Sequence, residues 1–95
     1  MGLKEAYHDK MEAQLREWSA KIDLLKAKAD MAEAGAKIEY YQQIDGVRAK
    51  AEAARAKLNE LKASSEGAWE SLKGGVESAW TDLKTSVEGA ISKFK

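Results

Sequence analysis

The feature that most constrains this chain is a heptad repeat of apolar residues in its first two thirds. From residue 11 onward the apolar positions alternate between spacings of four and three, which is the a and d pattern of a coiled coil. The residues between them are mostly charged, so the helix has a single stripe to bury. The first part of this seam is Met11, Leu15, Trp18, Ile22, Leu25, Ala29, Ala32 and Ala36.

The seam resumes with the same alternation at Ile44, Val47, Ala51, Ala54, Leu58 and Leu61. Between the two parts the spacing through Tyr40 is four and four, a stutter that locally unwinds a supercoil. We therefore predict one continuous coiled-coil helix over residues 1–62, with a stutter near 36–44. The alternative is a turn near Gly35, because glycine is unfavourable inside a helix and favoured just past its end. The chain would then form a three-helix bundle.

The last third of the chain repeats every 11 residues. Residues 63–67 contain two serines and a glycine and are predicted to form a turn or bend. The alternative is a bent but uninterrupted helix, because the seam continues in register from Leu61 through Ser65 to Trp69. An amphipathic helix is predicted over residues 66–95, because an 11-residue period at 3.67 residues per turn keeps its apolar stripe nearly straight. That stripe is Trp69, Leu72, Val76, Trp80, Leu83, Val87, Ile91 and Phe94.

These patterns predict an all-α protein that self-associates. A long helix with one apolar stripe is only marginally stable alone, so we expect a homo-oligomer in which copies cover each other's seams. The predicted interface consists of Leu15, Trp18, Ile22, Leu25, Ile44, Val47, Leu58, Leu61, Trp69, Leu72, Val76, Trp80, Leu83 and Val87.

Composition argues against several classes of function. Sixteen basic residues balance sixteen acidic ones, which disfavours a nucleic-acid-binding protein. The chain has no cysteine and a single histidine. His8 and Glu12 form an i,i+4 pair that offers half a metal site, but a solvent-exposed histidine in the first turns of a helix is commoner. We predict no metal, no cofactor, no small-molecule substrate and no enzymatic activity.

Two functions remain from the sequence. The first is a structural or interaction protein, a self-associating coiled coil. The alternative is a peripheral membrane protein that binds a lipid surface through residues 65–95, since bulky apolar residues there face a polar side with few charges. The low mean hydropathy (−0.57) and the absence of an apolar leader predict a cytoplasmic protein.

Three segments resemble a family of short bacterial coiled-coil proteins of uncharacterised function. The segments are residues 3–7 (LKEAY), 37–41 (KIEYY) and 68–80 (AWESLKGGVESAW). The resemblance implies a bacterial, largely helical and oligomeric protein, and brings no activity or site residue with it. The 11-residue repeat is similar in period to repeats of apolipoproteins and late-embryogenesis stress proteins, which implies only a long amphipathic helix.

Overall fold

Residues 2–94 fold into three α-helices joined by two short turns. The structure is a computed structural model that describes residues 2–94, and its helices are α1 (Leu3–Asp30), α2 (Ala34–Ala63) and α3 (Trp69–Lys93). No strand occurs between residues 2 and 94, so the predicted all-α class is confirmed. The helices pack side by side in a rod of 51 × 19 × 18 Å. The chain is a three-helix bundle.

The predicted continuous helix over residues 1–62 is corrected by the structure. Helix α1 ends at Asp30, and the N–H groups of Met31 and Ala32 donate to carbonyls three residues back, which tightens its last turn. Glu33 is extended (φ −65°, ψ 152°) and its carbonyl accepts the first hydrogen bonds of α2. The chain therefore reverses just before Gly35, which lies inside α2, and residues 3–62 do not form one continuous helix in this monomer.

The physical reason for the reversal is burial. A helix of 60 residues leaves its stripe uncovered unless a second chain is present, whereas a hairpin covers the stripe of α1 with α2 and α3 of the same chain. The predicted interface residues consequently form an intramolecular core. All of them are buried except Leu72, which is half-buried.

The second turn corresponds to residues 64–68, and α3 begins at Trp69, three residues later than predicted. The Ser64 hydroxyl donates to the Leu61 carbonyl (2.6 Å). From α1, the Lys4 ammonium donates to the carbonyls of Ser64 (2.6 Å) and Lys62 (3.3 Å). A cation is favourable at a helix C-terminus, so Lys4 ties the start of α1 to the end of α2.

Candidate functional site

Three aromatic pairs run along the bundle, each with one ring on α3 or at its end. Tyr7 and Trp69 meet at one end with ring centroids 5.8 Å apart. Trp18 and Trp80 pair in the middle at 6.2 Å, and Tyr40 and Phe94 pair at the other end at 4.2 Å. Such pairs are worth about 0.5–1.5 kcal/mol beyond the area they bury. The two pairs that contain tryptophan therefore join α3 to α1, and the Tyr40–Phe94 pair joins the end of α3 to α2.

An open groove lies between α1 and α3 beside the central pair. It has a volume of about 400 Å³, and Trp18 and Trp80 line it together with polar side chains from both helices. The Trp80 indole N–H is buried and has no hydrogen-bond partner among residues 2–94. A buried donor without a partner lowers the free energy of unfolding by about 1–3 kcal/mol. A phenylalanine ring at position 80 has no N–H group and would not carry this cost.

The structure brings His8 and Glu12 together and adds Asp9. The His8 Nδ1 atom lies 3.5 Å from Asp9 Oδ1 and 3.5 Å from Glu12 Oε2, and one ligand atom from each residue lies within 4.8 Å of the others. His8 is buried (8% exposed), so the prediction of a solvent-exposed histidine is wrong. It sits at the edge of the core because it is three residues before Met11 on the same helix face.

The surroundings of this cluster are unfavourable for a cation. The Arg16 guanidinium already pairs with Glu12 at 2.9 Å. The cleft beside the cluster has a volume of about 450 Å³, and Lys4 and Lys62 contribute to its lining. One of the carboxylates is thus already engaged and lysines lie nearby, so the cluster is best described as a histidine flanked by carboxylates at the edge of the core.

Tyr7 is the side chain whose acidity the fold changes most. Partial burial, followed by the negative charge of Glu77 and a hydrogen bond to that carboxylate (3.5 Å), raises the pKa of Tyr7 to about 12. The Lys73 ammonium lies 5.2 Å from the Tyr7 ring centre and 5.8 Å from that of Trp69. These distances are within the range of cation–π attraction.

The raised pKa of Tyr7 predicts a loss of stability at high pH. The folded state keeps the Tyr7 proton more tightly than the unfolded chain, in which the pKa is 10.0. The contribution of this group to stability is therefore complete below pH 10 and is lost as the pH rises from 10 towards 12. Urea unfolding of wild type and Tyr7→Phe across this range measures it. We expect the difference between the two proteins to shrink as pH rises, and a constant difference would contradict the assignment.

A second tyrosine connects the two sides of the α1–α2 turn. The Tyr41 hydroxyl donates to Asp30 Oδ1, and the Lys26 ammonium donates to Asp30 Oδ2 (3.3 Å). The hydrogen bond from Tyr41 lowers the pKa of Asp30, and the same bond raises the pKa of Tyr41. Further from the turn, Arg48 Nη2 lies 4.0 Å from Asp23 Oδ1. The Tyr41–Asp30 and Arg48–Asp23 contacts therefore link α1 to α2 at the surface, where such pairs contribute little to stability.

Sequence reasoning missed the apolar residues that lie outside the core. Four large hydrophobic side chains are exposed in the described part of the chain, and three of them flank the α1–α2 turn. These three, here called the turn-flanking residues, are Leu24 (66% exposed), Met31 (88%) and Ile38 (66%). They follow one another at intervals of seven, a spacing that was visible in the sequence beside the stronger seam.

Comparison with known proteins adds no relative. Neither protein-family models, nor curated proteins, nor solved structures give a match to this chain. The resemblance of residues 3–7, 37–41 and 68–80 to a bacterial coiled-coil family therefore stays a prediction. Within residues 2–94, none of the three helices has an apolar stretch of the length needed to cross a bilayer.

Proposed function

We propose that this protein is a non-enzymatic structural protein that acts by self-association of helical bundles. The observation that carries the proposal is the grouping of the turn-flanking residues, Leu24, Met31 and Ile38, around a single turn. Single exposed hydrophobic residues are normal on a protein surface, but a concentration of them in one region is typical of an interaction site. The core is already covered within the chain, so association is proposed at the α1–α2 end of the rod.

The charged surface is consistent with a structural role. Four carboxylates in the described part of the chain form ion pairs with basic residues one helical turn away. Such pairs stabilise exposed helix faces by a few tenths of a kcal/mol each. These pairs are Arg16–Glu12, Lys26–Asp30, Lys57–Glu60 and Lys84–Glu88.

Binding to a lipid surface through residues 65–95 is the second candidate. Its support is the amphipathic character of α3, whose bulky apolar side is opposite an exposed side on which Ser71, Gly74, Gly75 and Ser78 alternate with charged residues. The apolar face of α3, however, is buried in the bundle. Lipid binding would require α3 to leave α1 and α2, which makes self-association the better supported proposal.

The proposal predicts that charge on the turn-flanking residues weakens association. Met31→Glu combined with Ile38→Glu removes two exposed apolar side chains, so the folded monomer is expected to keep its stability. Burial of a large apolar side chain contributes about 1.5–3 kcal/mol, so the dissociation constant is expected to rise by more than about tenfold. Sedimentation equilibrium over a wide concentration range measures this constant.

Leu3→Glu is the matched control, because Leu3 is also exposed (76%) and lies at the opposite end of the rod. This variant is expected to associate like wild type. A wild-type chain that stays monomeric up to millimolar concentration would overturn the proposed function.

A further inference from the structure

We infer that the α1–α2 turn is a hinge and that the associated form is a domain-swapped dimer. In this form α1 and α2 join into one straight helix, and α1 packs on α2 and α3 of a second copy. The inference rests on the proposed self-association and specifies its partner and geometry. Three observations carry it: the sequence of the turn, its backbone conformation, and the placement of the exposed apolar residues.

The sequence of the turn favours a helix. The three-four spacing of the seam continues across the turn, because Ala29, Ala32 and Ala36 are three and four residues apart. The turn residues Met31 and Ala32 are good helix formers, and the whole chain contains no proline. Local preference and tertiary structure therefore disagree at this turn. A conflict of this kind is what allows one segment to have two stable arrangements.

The backbone of the turn is close to helical. Met31 is near the helical region (φ −91°, ψ −5°), and Glu33 has a helical φ of −65° and departs from a helix in its ψ of 152°. No residue from 2 to 94 has a positive φ. The Glu33 side chain makes no capping hydrogen bond to α2. Straightening therefore requires no left-handed residue to change its conformation and loses no side-chain cap.

The turn-flanking residues align when the turn is straightened. In a continuous helix, side chains seven residues apart drift by only about 20° per interval, so Leu24, Met31 and Ile38 form one row. The row starts one residue, or about 100°, from the seam at Leu25. Relative to the middle of the seam the row lies about 140° round the helix, so the straight helix has a second apolar row on a separate face. Apolar residues on two faces are typical of a helix that is covered on more than one side.

A second copy of this chain is the occupant that fits this surface. In a swapped dimer the two hinge segments meet near the two-fold axis, so the hinge residue Met31 lies close to the second copy. The contacts of α1 with α2 and α3 are the same in both forms, because the partner supplies identical residues. The core formed on folding is thus retained, and the dimer brings Met31, which is 88% exposed in the monomer, next to the second copy.

A proline at the first residue of α2 tests the hinge. Ala34→Pro fits the bundle, because proline is favoured at the first helical position and Glu33 before it is already extended. In a straight helix the same proline would be internal and would break a hydrogen bond in each chain. We expect Ala34→Pro to raise the dimer dissociation constant by more than about a hundredfold while the circular dichroism of the monomer is unchanged.

Ser65→Pro is the matched control in the other turn. Ser64 before it is also extended (φ −75°, ψ 160°), and this site lies outside the proposed straight helix. We expect this variant to dimerise like wild type. A dimer that is as tight in Ala34→Pro as in wild type would overturn the hinge while leaving the proposed function intact.

Chemical crosslinking is an independent test that needs no proline substitution. It identifies whether α1 packs on its own chain or on the second copy. The chain has no cysteine, so Asp23→Cys with Arg48→Cys places one thiol on α1 and one on α2, where the native side chains are 4.0 Å apart. The dimer fraction is isolated by gel filtration, treated with a short bis-maleimide and run on a denaturing gel. A swapped dimer gives covalently linked chains, because the two thiols of each pair belong to different copies.

The other outcomes of the crosslinking experiment distinguish the swap from the proposed function. A dimer that yields only single chains with an internal link is associated but not swapped, which overturns this inference and keeps the proposed function. The single variants Asp23→Cys and Arg48→Cys are expected to give no linked dimer, and linkage in either of them would show that the crosslink does not report the α1–α2 contact. If the wild-type chain forms no dimer at any concentration, both the proposed function and the swap are overturned.

Discussion

Replacing Trp80 with alanine is expected to lower the free energy of unfolding by about 3–5 kcal/mol. Trp80 is only 5% exposed and its ring packs against Trp18 from the opposite helix, so alanine leaves a large cavity at the centre of the bundle. For a domain of this size the loss is a large part of its total stability. Urea unfolding followed by far-ultraviolet circular dichroism measures the change.

Trp80→Phe is the control for this experiment. Phenylalanine keeps most of the ring and removes the buried N–H that has no partner, so it is expected to cost clearly less than alanine. An alanine variant as stable as wild type would show that Trp80 is not part of a packed core. The assignment of α3 to the bundle would then be wrong.

Removal of residues 64–95 is expected to abolish cooperative folding of the remainder. Helix α3 supplies Val76, Leu83 and Val87, each at most 1% exposed, to the core. Burial of each such side chain contributes about 1.5–3 kcal/mol to the free energy of unfolding. The three contributions together are comparable to the whole stability of a small domain. The fragment 1–63 is expected to melt without a sharp transition or to aggregate through the uncovered faces of α1 and α2.

The same deletion separates the two proposed functions. Thermal melting and sedimentation with neutral and anionic liposomes are measured for the full chain and for fragment 1–63. If α3 is a lipid-binding helix, the fragment melts like the full chain and only liposome binding disappears. If α3 completes the core, stability is lost and the full chain stays out of the liposome pellet. A stable, well-behaved fragment would contradict the packing of α3 described above.

The sequence by itself determined the helical class and the residues of the core. Heptad and 11-residue spacings put apolar side chains on one face of each helix, and that face is buried whichever partner covers it. Residues such as Leu15, Ile44 and Leu83 were therefore identified correctly without knowledge of the chain path. The break between α2 and α3 was visible as well, because Ser64, Ser65 and Gly67 are unfavourable inside a helix.

The tertiary structure alone decided where the chain reverses and what remains exposed. The segment from Ala29 to Ala36 favours a helix locally, and the turn at 31–33 exists because it lets α2 and α3 cover the stripe of α1 within one chain. Burial of His8 also needed the tertiary structure: its position three residues before Met11 places it on the seam face, but only the neighbouring helices decide whether that face is covered so close to the start of α1. A repeat specifies which face is buried, but several chain paths bury the same face, and only the total packing energy distinguishes them.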